Sequence, residues 1–172
     1  MLSEFFNKTV FYYNPNIYPE SEYYKRVSEI KRFLGEIPLK NKAELLEGEY
    51  KPSDFYKTVK GLENIREGGE RCFACFRLRL RAAAETAARE GFDFLTTTLT
   101  ISPLKNAQVL NEIGFEEAER AGVRWLPSDF KKKDGYKHSI ELSAKYNLYR
   151  QDYCGCVFSL EERRQQIKSE KQ

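Results

Sequence analysis

The sequence predicts an α/β fold, an open and mainly parallel sheet with flanking helices, in one domain over residues 1–172. Three observations carry that expectation. β-branched and aromatic runs alternate along the chain with segments whose apolar residues recur at helical spacing, the order that builds parallel sheets. Glycines at Gly35, Gly91 and Gly122 follow the helical segments, where a left-handed residue closes a helix. With 172 residues the chain is long enough for one real core and short for two ordinary domains.

Taken in order, Leu2 to Phe6 reads as the end of a helix. Thr9-Val10-Phe11-Tyr12-Tyr13 then reads as a strand that stops at Asn14-Pro15-Asn16, a turn signal. From Glu20 to Leu34, Tyr23, Tyr24, Val27, Ile30, Phe33 and Leu34 form the apolar face of an amphipathic helix. A short helix starts at Pro52-Ser53-Asp54 and runs through Val59, and the loop Glu67-Gly68-Gly69-Glu70 leads into a long helix from Arg71 to Glu90. Its face of Leu78, Ala82, Ala83, Thr86 and Ala87 is small enough for close packing on a sheet. Phe94 to Leu99 is the most strand-like run of the chain and leads into Ile101-Ser102-Pro103. A helix follows over Val109 to Ala121, a strand over Val123 to Leu126, and a helix over Tyr136 to Tyr146. The tail, residues 159–172, is a charged C-terminal helix.

In open α/β sheets ligands collect beyond the carboxyl ends of the strands. Asn14 and Asn16, Thr96, Thr97, Thr98 and Ser102, and Ser128 with Asp129 all fall at such ends. These polar strand ends are the candidate lining of a crevice. A domain of this kind ordinarily begins with a strand before its first helix, near the middle of the sheet. That strand is missing ahead of Leu2, which suggests a true start further upstream, a truncation, or a real loss.

Composition narrows the function classes. Charged residues are 32% and hydrophobic ones 41%, which excludes a disordered chain, and no apolar run approaches the length of a bilayer span. The N-terminus has no export signal, so the expected location is the cytoplasm. A net charge of +3 does not by itself indicate nucleic acid; if a polyanion binds, Lys131-Lys132-Lys133 is the first place to look. No glycine-rich phosphate loop or dinucleotide fingerprint is present. His138, the only histidine, reads as a surface residue.

All four cysteines lie in two tight pairs, Cys72-Phe73-Ala74-Cys75 and Cys154-Gly155-Cys156. In a reducing compartment such pairs hold metal or cycle between thiol and disulfide more often than they staple a fold. Cys72 and Cys75 open a helix, where backbone N–H groups and the helix dipole favour thiolate, the form that binds iron or zinc. Arg77 and Arg81, four apart on that helix, read as a solvated face or as phosphate contacts. Residues two apart in an extended chain sit near the upper limit of the Cα separation a disulfide accepts, so closing Cys154 to Cys156 needs the turn that Gly155 permits. A strained disulfide is easily reduced, which suits a dithiol that delivers two electrons. The same sulfurs can instead complete a four-cysteine site with the first pair. Spacing alone leaves both open.

Together these segments resemble the QueH-type epoxyqueuosine reductases over essentially the whole chain. The resemblance rests on Phe11 to Ile17, Arg71-Cys72-Phe73-Ala74-Cys75, Phe94 to Leu99 with Ser102-Pro103, Asn111-Glu112-Ile113-Gly114, and the highly specific Tyr149-Arg150-Gln151-Asp152-Tyr153-Cys154-Gly155-Cys156. It implies an adenine nucleotide alpha hydrolase-like fold. It also implies a cytoplasmic iron–sulfur oxidoreductase of tRNA processing, which removes the epoxide oxygen of epoxyqueuosine in tRNA as the last step of queuosine biosynthesis, drawing on an external electron donor. Cys72 and Cys75 would then be ligands of a 4Fe-4S cluster, with an additional iron a further possibility, and Cys154 and Cys156 a redox-active disulfide pair. Arg150 and Tyr153, beside that pair, join the candidate substrate-lining residues. Members of the family carry a Cys-Cys motif after a first strand that supplies the other cluster ligands, and this sequence starts beyond it. Two further readings stand alongside: a structural zinc module held by all four cysteines, and a tRNA-binding remnant without redox function.

Overall fold

The computed structural model describes residues 4–170. The fragment from Leu2 to Phe6 read as a helix end begins outside the described residues. The chain forms two compact units, one of Met1–Pro52 with Ser143–Gln172 and one of Ser53–Leu142.

In the first unit, β1 (Lys8–Tyr12) pairs in parallel with β2 (Ala43–Glu47), with Val10 opposite Leu45 and Tyr12 opposite Glu47. The connection between them is α1 (Glu20–Glu36), the crossover that a parallel pair requires. Tyr12, Ile17, Tyr23 and Val27 form the buried core, with Ile30, Leu45 and Tyr50 packed against it. Tyr23 and Tyr50 stack with ring centroids 4.0 Å apart. The chain returns to this unit for α6 (Val157–Ser169), whose N-cap is Cys156.

The second unit is built around the packing of α3 (Glu70–Arg89) on α4 (Ala107–Ala121), preceded by α2 (Pro52–Thr58) and followed by α5 (Gly135–Lys145). The buried stripe of α3 is Phe76, Leu80, Ala84 and Ala87. Phe76 and Leu80 meet Leu110 and Ile113 of α4, and Ala84 and Ala87 meet Ala118 and Val123. The expected face of Leu78, Ala82 and Ala83 is only half-buried; the helix is turned so that its larger residues, Phe76 and Leu80, take the α4 contact. A short parallel pair, β3 (Phe94–Leu95) with β4 (Arg124–Trp125), completes the unit, and Leu126 N–H extends it by donating to Leu95 C=O at 2.8 Å.

The α/β class with parallel pairing is present, but the described strands form two separate two-stranded sheets rather than one continuous sheet. The run from Phe94 to Leu99 is a strand for two residues only. Thr97 ends it: its hydroxyl accepts from Leu99 N–H at 3.2 Å, capping a 3-10 turn over Thr98–Ile101. Asn106 caps α4 by accepting from Gln108 and Val109 N–H, and Gly122 closes it in the left-handed region at φ 76°. Among the described residues no helix is long and apolar enough to cross a membrane.

Candidate functional site

Each unit carries one cysteine pair, and all four cysteines are thiols. Cys72 and Cys75 lie in the first turns of α3, three apart and so on one side of the helix. Gly68, at φ 91° in the loop ahead, turns its N–H onto Cys72 Sγ at 3.2 Å. Cys75 is buried, while Cys72 is partly exposed and packs against the Phe76, Leu80, Leu110 and Ile113 cluster. Arg71 is buried and donates to Glu63 C=O at 2.8 Å, so its charge is spent on the loop that enters the helix. A half-exposed thiol that receives a backbone N–H, beside a second thiol one turn on, suits thiolate ligation. Among the described residues no group of three or more His, Cys, Asp or Glu is gathered to hold a metal ion.

The second pair is built differently. Cys154 is partly exposed, whereas Cys156 is 7% exposed and caps α6, its Sγ accepting from Ser159 N–H at 3.4 Å. Ser159 Oγ in return accepts from Cys154 N–H at 2.9 Å, so one residue of α6 holds both cysteines. Gly155 sits at φ 130°, in the region that favours glycine. A Cβ there would also lie 3.0 Å from Arg26 Nη1 and 3.2 Å from Ile17 Cγ1. The glycine thus serves the turn and the close approach together.

The expected lining residues divide by unit. In the first, the loop carrying Asn14 and Asn16 runs against the dithiol: Tyr18 N–H donates to Gly155 C=O at 2.8 Å, and Tyr153 OH donates to Tyr18 C=O at 2.6 Å. Asn16 is 4% exposed, and its Oδ1 has no hydrogen-bond partner among the described residues. Asn14 is half-buried and Arg150 exposed. Burial raises the Tyr153 phenol above its ordinary pKa, and the nearby Glu22 charge adds to the effect.

In the second unit Thr96, Thr97, Thr98, Ser102 and Asp129 do follow β3 and β4, and the two strand exits are knit together by Thr97 C=O, Thr100 and Ser128. Thr100 Oγ1 and Ser128 Oγ are 3.2 Å apart, and Ser128 Oγ donates to Thr97 C=O. Ser102 Oγ accepts from Leu104 N–H. Asp129 ion-pairs with Lys131 at 3.0 Å, and that hydrogen bond holds its carboxyl below the usual range. Thr98 is exposed, and Thr96 keeps a buried hydroxyl with no partner among the described residues.

Several residues with clear roles gave little sign in the sequence. Asn111 Oδ1 accepts from both Trp125 Nε1–H and Ser128 N–H, while its amide donates to Ser128 C=O at 2.8 Å. Glu117 is 2% exposed and gathers Arg77, Arg81 and Arg120 within 3.1 Å. Arg26 and Glu22 form a pair on α1 that reaches Cys154. The Asn-Glu-Ile-Gly motif flagged Asn111 and the helical spacing flagged Arg77 and Arg81; Glu117, Arg120, Glu22 and Arg26 look like ordinary helix charges.

The fold is that of an α/β protein whose four thiols lie in two close pairs, one in each unit. A family model for epoxyqueuosine reductase QueH matches residues 1–162. The epoxyqueuosine reductase QueH of Streptococcus pyogenes serotype M1 is 42% identical over 160 residues, covering 92% of this chain and 63% of that protein. The QueH of Staphylococcus epidermidis is 43% identical, covering 92% and 68%, and that of Thermotoga maritima 37% identical, covering 90% and 80%. The chain belongs to the epoxyqueuosine reductase QueH family, and it spans somewhat under two thirds of the length of its streptococcal relative.

Proposed function

We propose that this chain carries out the reductive removal of the epoxide oxygen of epoxyqueuosine in tRNA, giving queuosine and water. The observation that supports it most directly is the Cys154-Gly155-Cys156 dithiol, one sulfur accessible and one buried at a helix N-terminus, in a chain of the QueH family. The electron count closes on that pair. Two thiols yield one S–S bond, two protons and two electrons; the epoxide oxygen takes the protons and electrons and leaves as water, and the two carbons form a double bond. An external donor then reduces the disulfide.

Cys72 and Cys75 are the proposed ligands that this chain gives to a 4Fe-4S cluster. When bound, such a cluster supplies electrons one at a time, and iron there or an additional iron supplies Lewis acidity toward oxygen. The chain's own part is to hold two thiolates at the start of α3, where the N–H of Gly68 and the helix N-terminus favour them. The adenine nucleotide alpha hydrolase-like ancestry of the fold belongs to this reading as well.

Anaerobic turnover of epoxyqueuosine-containing tRNA tests it. Cys154→Ser and Cys156→Ser should each lose turnover by at least a hundredfold while still binding tRNA. Full activity in either variant removes the dithiol from the reaction. The zinc-module alternative is separated by metal content: protein purified anaerobically should hold iron and sulfide and be brown, whereas colourless protein with one zinc per chain would favour the module.

A further inference from the structure

Arg26 lies on α1, far in sequence from either cysteine pair, yet three of its contacts end at the second pair. Its Nη1 donates to Cys154 C=O at 3.2 Å, its guanidinium lies 5.3 Å from the Tyr153 ring centroid, and Gly155 passes closely enough that a Cβ would touch Nη1. Its other side is fixed. Nε donates to Glu22 Oε1 at 2.7 Å, and both side chains are only 11% exposed. Glu22 is held in turn by Tyr149 OH, 3.1 and 3.2 Å from its two oxygens, and Tyr149 by Glu29, which accepts its N–H at 2.7 Å. Arg26 Nη2 is buried and has no partner among the described residues.

A surface helix pair would need none of this. An i,i+4 Glu–Arg pair in solvent contributes a few tenths of a kcal/mol and faces water. Here the pair is turned inward, is tied to the motif that precedes Cys154, and keeps one buried donor nitrogen without a partner among the described residues. We propose that Arg26 is the positioning residue of the Cys154–Cys156 couple: with Glu22 and Tyr149 it clamps the Cys154-Gly155-Cys156 turn in its dithiol form and so makes the couple more oxidising. This rests on the reading of that pair as a redox couple. The backbone contacts give the sign. The Arg26 bond to Cys154 C=O, together with the Tyr18 bond to Gly155 C=O, is made in the thiol state, whereas closing a disulfide across two residues requires the turn to tighten. Stabilising the reduced form raises the potential.

The test equilibrates the full chain anaerobically in glutathione buffers of graded ratio, then traps thiols by alkylation and digests with trypsin. Cleavage after Arg150 and Arg163 leaves Cys154 and Cys156 on one peptide, and cleavage after Arg71 and Arg77 leaves Cys72 and Cys75 on another, so each pair is read separately by mass. In Arg26→Gln the Cys154–Cys156 equilibrium should move toward disulfide by about tenfold, about 30 mV more negative. In Arg26→Lys, which keeps the charge but cannot reach Glu22 and Cys154 C=O together, the shift should be about threefold in the same direction. The Lys variant carries the test if the Gln variant does not fold. An equilibrium within twofold of the parent in the folded variants, or a shift toward dithiol, overturns the clamp while leaving the couple intact. A parent chain that forms no Cys154–Cys156 disulfide at any ratio overturns the couple and the clamp with it. A merely structural Arg26 would lower the melting temperature and leave the thiol equilibrium where it was.

Discussion

The Glu117 carboxylate is buried, only 2% exposed, and three guanidinium groups converge on it from α3 and α4. Burial pushes its pKa up, but the hydrogen bonds from Arg81 and Arg77 outweigh that and hold the carboxyl below its ordinary value. Because the folded pKa is depressed, the stability it contributes is present above the unfolded value of about 4.3 and is lost as pH falls through the folded one. Glu117→Gln should cost about 2 kcal/mol at neutral pH, the scale of a charge-assisted hydrogen bond, and should flatten the loss of stability below about pH 4.5. Denaturant unfolding at a series of pH values from 7 to 3 reads both; an acid limb as steep as the parent's would mean that the half-buried carboxyls of Glu29 and Asp129, which are also held low, dominate instead. Glu117 also bears on the two sequence readings of Arg77 and Arg81. They are not a purely solvated face, because each donates to this carboxylate. Nothing in a helix rich in arginine and glutamate marks which acid is buried, so this was not legible beforehand. The cysteines were, since both members of both pairs stand out by spacing.

At the scale of elements, the helices followed from the sequence because their signals are local. α1, α3, α4 and α5 start and stop within about two residues of the expected bounds, as caps and apolar periodicity allow. β2 left no such signal: Ala43-Glu44-Leu45-Leu46-Glu47 is made of helix formers, and pairing with β1 alone makes it a strand. The Asn-Glu-Ile-Gly motif of α4 acquires a physical reason. Asn111 pins the Trp125 indole through its N–H at 3.1 Å, and Gly114 leaves room for the ring that a Cβ would strike. Gly114→Ala should therefore destabilise the chain by about 1–3 kcal/mol despite a better helix propensity, the range for an overpacked core. In an Asn111→Ala background, where the ring can swing aside, the added cost of Gly114→Ala should shrink by at least half. Urea unfolding of the four proteins of that cycle gives the answer, and equal costs in both backgrounds would show that the pinned ring is not the obstacle.

For the molecule as a whole, the alternation of strand and helix announced parallel pairing but not how many strands share one sheet, since sheet continuity depends on contacts remote in sequence. The charge balance is similarly uninformative when summed: 29 basic against 26 acidic side chains give +3, and much of that charge is paired within the helices. If tRNA is the substrate, as proposed, its affinity must come from local cations that are not already committed. Lys131 is committed, to Asp129 and to Lys105 C=O. Lys132 also reaches Asp129, at 3.5 Å, but is largely exposed, and so is Lys133; Lys133 and Asp134 both lie at positive φ, 50° and 59°, an uncommon run for residues other than glycine. Replacing both lysines by Gln should weaken tRNA binding at every salt concentration and reduce the slope of log K against log salt by about 1.5, as expected when two phosphate contacts are lost. Binding measured by fluorescence anisotropy from 50 to 200 mM salt, roughly the range over which such slopes develop, makes the comparison. A slope unchanged from the parent would show that these lysines only face solvent.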